Sequence, residues 1–283
     1  MTTLRWGERT YVMGIINLTP DSFSGDGLAQ PGREVADVVS AAEAQAAAFV
    51  AAGVDILDVG AESSRPPQFY GDHPPVHAEA EAALSVPVVS ALAGRFGGRA
   101  LVSIDTTKGS VAASALAAGA TMVNDVWAGQ RDAGTVAAAA AADAHLVLMH
   151  NREVAEYPSG VFAEVVAWLQ AAVDGALNAG VSRERLIVDP GIGFGKTPEH
   201  SIELLHRLGE LKAAIGLPLL VGTSRKRFIG ELLGGAPPED RLEGTAATVA
   251  LAIAQGADVV RVHDVAAMMK TVRVTDGIVR WQR

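Results

Sequence analysis

The chain has 283 residues and a formal net charge of -9, with 49% hydrophobic, 19% charged and 5% aromatic residues. That composition permits a large core, filled mostly by Ala, Val, Leu and Ile, and excludes a disordered chain. An acidic chain without a basic stripe is not built for nucleic acid, and the absence of cysteine excludes disulfides, thiolate–metal sites and a cysteine nucleophile. The N-terminus MTTLRWGERTYVMG lacks the apolar stretch of a secretion signal. No apolar run approaches the roughly 20 residues of a membrane helix. The expectation is a cytoplasmic protein with neither nucleic-acid nor membrane partners.

In chain order, short β-branched runs alternate with Ala/Leu/Glu-rich stretches. Strands are predicted at Tyr11–Ile16, Ile56–Val59, Ala100–Ile104, Met122–Asn124, Leu146–Met149, Leu186–Val188, Leu219–Val221 and Val259–Val262. Helices are predicted between them, among others at Arg33–Ala52, Val76–Ala93, Val161–Ala179 and Ala246–Gln255. Such alternation implies a parallel sheet covered by helices. Eight units imply closure into a single (β/α)8 TIM barrel spanning residues 1–283 as one domain, with a doubly wound open sheet as the rival. Thr3–Trp6 and Arg9–Val12 flank Gly7–Glu8 and read as a short N-terminal β-hairpin plugging the barrel floor. Leu18–Gly32 and Ala61–Pro75 are long, polar and rich in Gly and Pro, as functional loops are.

Each predicted strand delivers a polar group at its C-terminal end. These are Asn17; Asp58 followed by Glu62 and Arg65; Asp105; Asn124 with Asp125; His150; Asp189; Ser224-Arg225-Lys226; and Arg261 with His263. In a barrel these ends ring one mouth, where barrel active sites lie. Taken singly, Asp58 reads as a group paired within the barrel, Asp125 as a cap, His150 as a core histidine and Lys108 as a solvated helix lysine. Collected on one rim, so many costly groups imply a site. Arg65, Lys226, Arg261 and His263 form a cationic set suited to phosphate or carboxylate oxygens. Gly222-Thr223-Ser224 before a helix adds backbone N–H groups for an anion. Asp105, Asn124 and Asp189 suit a flat heterocycle rich in N–H donors.

The segments MGIINLTPDSFS (13–24), ESSRP (62–66), SIDTTK (103–108), NDV (124–126), LMH (148–150), DPGIGFGKT (189–197), GTSRK (222–226) and RVHDV (261–265) resemble, in order, the signatures of the dihydropteroate synthase family. The resemblance implies a barrel, a homodimer, and the substrates 6-hydroxymethyl-7,8-dihydropterin diphosphate and 4-aminobenzoate, with Mg2+ assisting loss of diphosphate. Matched by motif, it implies that Asp105, Asn124, Asp189 and Lys226 hold the pterin. Asn17 would meet the metal and diphosphate. Ser64, Arg65, Arg261 and His263 would bind diphosphate oxygens. Met149 and Phe194 would line the substrate sites. Asp105, Lys226, Arg261 and His263 are the expected catalytic set. The chain departs from the family pattern at Ser64 (commonly Thr), Pro67 (commonly Gly), Asn151 and Arg227 (often Ser), and in SFSGDG of the first loop. A pterin-dependent methyltransferase and a non-catalytic paralogue are the alternatives.

Overall fold

A computed structural model describes residues 4–19, 27–28, 32–62 and 76–281. Its strands are β1 (Tyr11–Asn17), β2 (Ile56–Gly60), β3 (Leu101–Asp105), β4 (Met122–Asp125), β5 (His145–Met149), β6 (Leu186–Asp189), β7 (Leu220–Val221) and β8 (Val259–Val262). Each lies within one residue of its predicted span. The helices are α1 (Val35–Ala52), α2 (Ala78–Phe96), α3 (Gly109–Ala117), α4 (Gly134–Ala141), α5 (Val161–Asn178), α6 (Pro198–His206), α7 (Leu208–Ile215), α8 (Arg227–Leu232), α9 (Leu242–Ala254) and α10 (Val265–Val279).

All pairings are parallel, in the order β6-β5-β4-β3-β2-β1-β8-β7. The ring closes through one bridge between Val188 and Leu219, where the Val188 N–H donates to the Pro218 carbonyl at 2.9 Å. This is a barrel and not an open sheet. Pro218 lacks an N–H and Gly222 has no side chain to pack, so β7 is held to two residues.

The strands are apolar on both faces because helices cover the outside and side chains fill the inside. Outside, Gly14 lets α1 and α10 approach β1: a Cβ there would meet Phe49 and Val265 at 2.8 Å. The α1 window has mean hydropathy 1.4, enough by length and composition for a membrane span, but Val38, Ala42 and Ala46 are buried against the barrel. Inside, Met13, Ile56, Met122, Ile187 and Val259 belong to a closed apolar floor. Side chains alternate with period two along a strand. Hence the residues two and four further on, Asp58, Asn124, Asp189, Arg261 and His263, face inward above that floor. The polar mouth follows from the same alternation that makes the core.

The N-terminal segment corrects the hairpin expectation. Leu4 and Trp6 do pack on the floor, but Leu4–Thr10 holds a turn and no strand. The Tyr11 hydroxyl accepts from the Arg5 N–H at 2.5 Å and donates to the Arg5 carbonyl at 3.1 Å. It thereby satisfies the backbone groups that a pairing strand would have used.

Candidate active site

A cavity of about 440 Å³ opens at the C-terminal ends of the strands. Asn17, Asp105, Asn124 and Met149 line it from β1, β3, β4 and β5. Asp189, Phe194, Lys226, Arg261 and His263 complete it from β6 to β8. Every expected site residue within the described residues is therefore brought together. Ser64 and Arg65, with Pro67 and most of the two long polar segments, lie outside the described residues.

The floor of the cavity is an ionic network. The Arg261 Nε donates to Asp58 Oδ2 at 2.7 Å and its Nη2 to Asp105 Oδ2 at 2.6 Å. Asn124 Nδ2 donates to the same Asp58 oxygen at 3.1 Å. Arg261 thus faces inward to two carboxylates, and a ligand oxygen reaching it competes with Asp105. Burial pushes the Asp105 carboxyl up, to about 7, with Arg261 pulling it down and Asp58 adding to the rise.

Asp189 and Lys226 face each other across the β6–β7 closure. Asp189 Oδ1 accepts from the Gly191 N–H at 2.7 Å, and burial raises its pKa against the opposing pull of Lys226. Burial lowers Lys226 to about 7, with Asp189 resisting and Arg261 assisting. The Lys226 ammonium donates to the Ile192 carbonyl and sits 4.3 Å from the centroid of the Phe194 ring. The GIGFG turn that presents Phe194 needs its glycines. Gly191 (φ +67) and Gly195 (φ +53) would place a Cβ at 1.9 Å from the His150 carbonyl and at 2.1 Å from that of Arg152.

Lys226 is aimed by its predecessor. Arg225 adopts φ +57, a left-handed conformation uncommon for a residue with a side chain. It is held there by two bonds to Asp264 at 2.9 and 2.6 Å and by the Thr245 hydroxyl. Arg225 thus holds the turn together, and Ser224, Arg225 and Lys226 all line the cavity. The Ser224 hydroxyl accepts from the His263 N–H at 3.1 Å and lies 2.9 Å from His263 Nδ1. Arg227 also lines the mouth; it is half exposed and paired with Glu231 at 2.6 Å.

The Asn17 Oδ1 accepts from the Thr19 N–H at 3.2 Å and hydroxyl at 2.8 Å. As a metal ligand it supplies one oxygen, and no group of three or more acidic or histidine side chains stands ready to cage an ion among the described residues. That donor would hold Mg2+ only where phosphate and water oxygens supply the remaining ligands.

Asp125 caps as expected, accepting from Trp127, Gly129 and Thr135. His150 is a core histidine, fully buried. Lys108 is not a solvated lysine: it bridges Glu62 and the buried Glu81 at 2.5 Å each. The residue that sequence reasoning passed over is Lys196. It is buried, lines the cavity, lies 2.9 Å from His150 Nδ1 and donates to the Phe194 carbonyl at 3.0 Å. Burial holds it well below the usual lysine range. The signal was its place at the end of a glycine-rich turn after Asp189.

The sequence signature of pterin-binding enzymes matches residues 13–263. The chain belongs to that family. It is 42% identical to a dihydropteroate synthase of Synechocystis sp., over 99% of this chain and 93% of the relative. It is 38% identical to that of Bacillus subtilis, over 98% and 91%. A crystal structure of the Clostridium difficile dihydropteroate synthase, obtained in the presence of pteroic acid, superposes with TM-score 0.90 at 39% identity and covers 99% of this chain and 100% of that one. The Xanthomonas albilineans enzyme with 4-aminobenzoic acid gives 0.85 at 39% identity, over 97% and 94%. The fold of this pterin-binding family member is thus the TIM barrel of those enzymes.

Proposed function

We propose that this chain joins 6-hydroxymethyl-7,8-dihydropterin diphosphate to 4-aminobenzoate, giving 7,8-dihydropteroate and diphosphate, as its dihydropteroate synthase relatives are named for doing. The observation that carries the reading is the polar floor. Asp105, Asn124 and Asp189 accept and Lys226 donates, all within one cavity, which matches the N–H-rich edge and carbonyl of a pterin.

The reaction breaks the bond between the pterin methylene carbon and a diphosphate oxygen, and that oxygen leaves with the electron pair. The amine nitrogen of 4-aminobenzoate supplies the pair for the new C–N bond and then loses a proton. Carbon that loses an anion gains positive character, which the Asp105 carboxylate stabilises. Growing charge on the leaving group is met by His263 and Arg261, with Ser64 and Arg65 as further ligands by motif. Asn17 would hold Mg2+ in part, and the ion would supply further neutralisation of the same charge. Phe194 and Lys226 shape the amine side, and Arg227 at the mouth offers a guanidinium fork to the aminobenzoate carboxylate. Positioning supplies much of the acceleration.

The protein works in the cytoplasm, as a homodimer, without nucleic-acid or membrane partners. Leu251 on α9 and Val274 and Ile278 on α10 are exposed on neighbouring helices and form the apolar face that a second copy would cover. The deciding experiment is diphosphate release by purified protein with the pterin diphosphate, Mg2+ and 4-aminobenzoate, the product identified by mass. Amine-dependent formation of dihydropteroate is the expected result. Pterin diphosphate bound without turnover would instead indicate a non-catalytic paralogue.

A further inference from the structure

Asp58 does not line the cavity, yet it holds two residues that do. It lies on β2 with no exposed surface. Its Oδ2 accepts from Arg261 Nε and from Asn124 Nδ2. Asn124 is two strands away, across β3. A carboxylate paired with a guanidinium has no hydrogen to give, so the Asn124 atom against it is the NH2 group and not the oxygen. The reverse orientation would set two acceptor oxygens against each other in a buried site, which is costly. The Asn124 oxygen is left over. It takes no hydrogen bond from a described residue, and it is not among the fully occluded unpaired polar atoms, whereas Asp58 Oδ1 and Ser103 Oγ are. It therefore opens on the cavity.

We propose that Asp58 is a positioning residue that fixes which way round the Asn124 amide faces the ligand, so that the floor meets an incoming heterocycle with an acceptor at this point. Without Asp58 the amide could turn and offer either face. With it, Asn124 joins Asp105 and Asp189 as a third acceptor, and a ligand must bring an N–H donor to each. A pteridine carrying an oxo group where the amino group should be leaves such an acceptor unpaired and is rejected. The inference rests on the pterin reading above and adds how the site enforces it.

A pair of ligands tests it, 6-hydroxymethyl-7,8-dihydropterin and its counterpart with an oxo group in place of the amino group, each titrated by calorimetry. The wild type is expected to prefer the amino form by about a hundredfold. Asp58→Leu removes the acceptor that holds the Asn124 NH2 group and should cut that preference by about tenfold. Asp58→Asn keeps one side-chain oxygen for both Arg261 Nε and Asn124 Nδ2 and should keep the preference, so it decides the matter even where Asp58→Leu fails to fold. A folded Asp58→Leu with an undiminished preference, or a folded Asp58→Asn that loses it, overturns the role of Asp58, because a merely structural residue would move the melting temperature and not the ratio. Wild-type protein that binds no pterin overturns the functional reading, and this inference with it.

Discussion

The two groups nearest the expected chemistry titrate near neutrality in opposite senses, and this makes one prediction quantitative. Asp105 is raised to about 7 by burial and must be ionised to face a developing cation. Lys226 is lowered to about 7 by burial and must be protonated to donate. At pH 7 each is in its working form about half the time, so about a quarter of molecules are competent if the two act independently. At pH 9 Asp105 is fully ionised, but only about one Lys226 in a hundred keeps its proton. The competent fraction then falls about twenty-five-fold. Lys226→Arg keeps its charge at every accessible pH, so its competent fraction should instead rise about twofold over the same interval. The assay is kcat/KM for the pterin diphosphate from pH 7 to 9, wild type and variant side by side, which cancels ionisation of the substrates. Steric crowding of the longer side chain beside Gly193 lowers the absolute rate and leaves the shape of the profile intact. An alkaline fall that survives in Lys226→Arg would refute the assignment of that limb to Lys226.

Three further outcomes follow from the geometry. Gly191→Ala places a Cβ 1.9 Å from the His150 carbonyl in a left-handed backbone, so it should destabilise by more than about 3 kcal/mol. Differential scanning calorimetry would contradict this with a melting temperature within a degree or two of wild type. Arg261→Ala leaves Asp58 and Asp105 as buried carboxylates without their cation and should cost about 3 kcal/mol or more; adding Asp58→Asn should recover part of that loss in the same measurement, and no recovery would count against the pairing. His150 is held down at about 2, first by burial and then by Lys196 and Arg152, against 6.5 in the unfolded chain. As pH falls below 6.5 the unfolded chain takes up a proton that the folded chain refuses, so stability is lost on acidification at about 1.4 kcal/mol per pH unit from this group. His150→Gln should remove that increment from the denaturation profile between pH 6 and about 4, and an unchanged slope would exclude it.

The strands were legible because each is a short β-branched run, and the mouth was legible because period-two alternation carries inward positions from Met122 to Asn124 and from Ile187 to Asp189. Pairings formed over long separations were not. Arg261 and Asp58 stand 203 residues apart, and nothing in either segment says that the arginine turns to two carboxylates on the floor. Lys108 looked like a surface lysine because Glu62 and Glu81, which flank it in space, belong to other elements. Lys196 was hidden for the opposite reason: it sits in a motif whose neighbours, Asp189 and Phe194, drew the attention. The hairpin failed because strand propensity at Leu4–Trp6 competes with a single hydroxyl, that of Tyr11, which the local pattern does not reveal.

The joint between β6 and β7 has a consequence for the whole ring. Seven neighbouring strand pairs are zipped by ladders, and the eighth is latched at one point, Val188 to Leu219. Asp189 stands on one side of that latch and Lys226 just beyond the other. A molecule held by both would span the joint and add contacts where the backbone ladder is shortest. The weakest joint of the ring thus lies under the cavity, flanked by two of the side chains that line it.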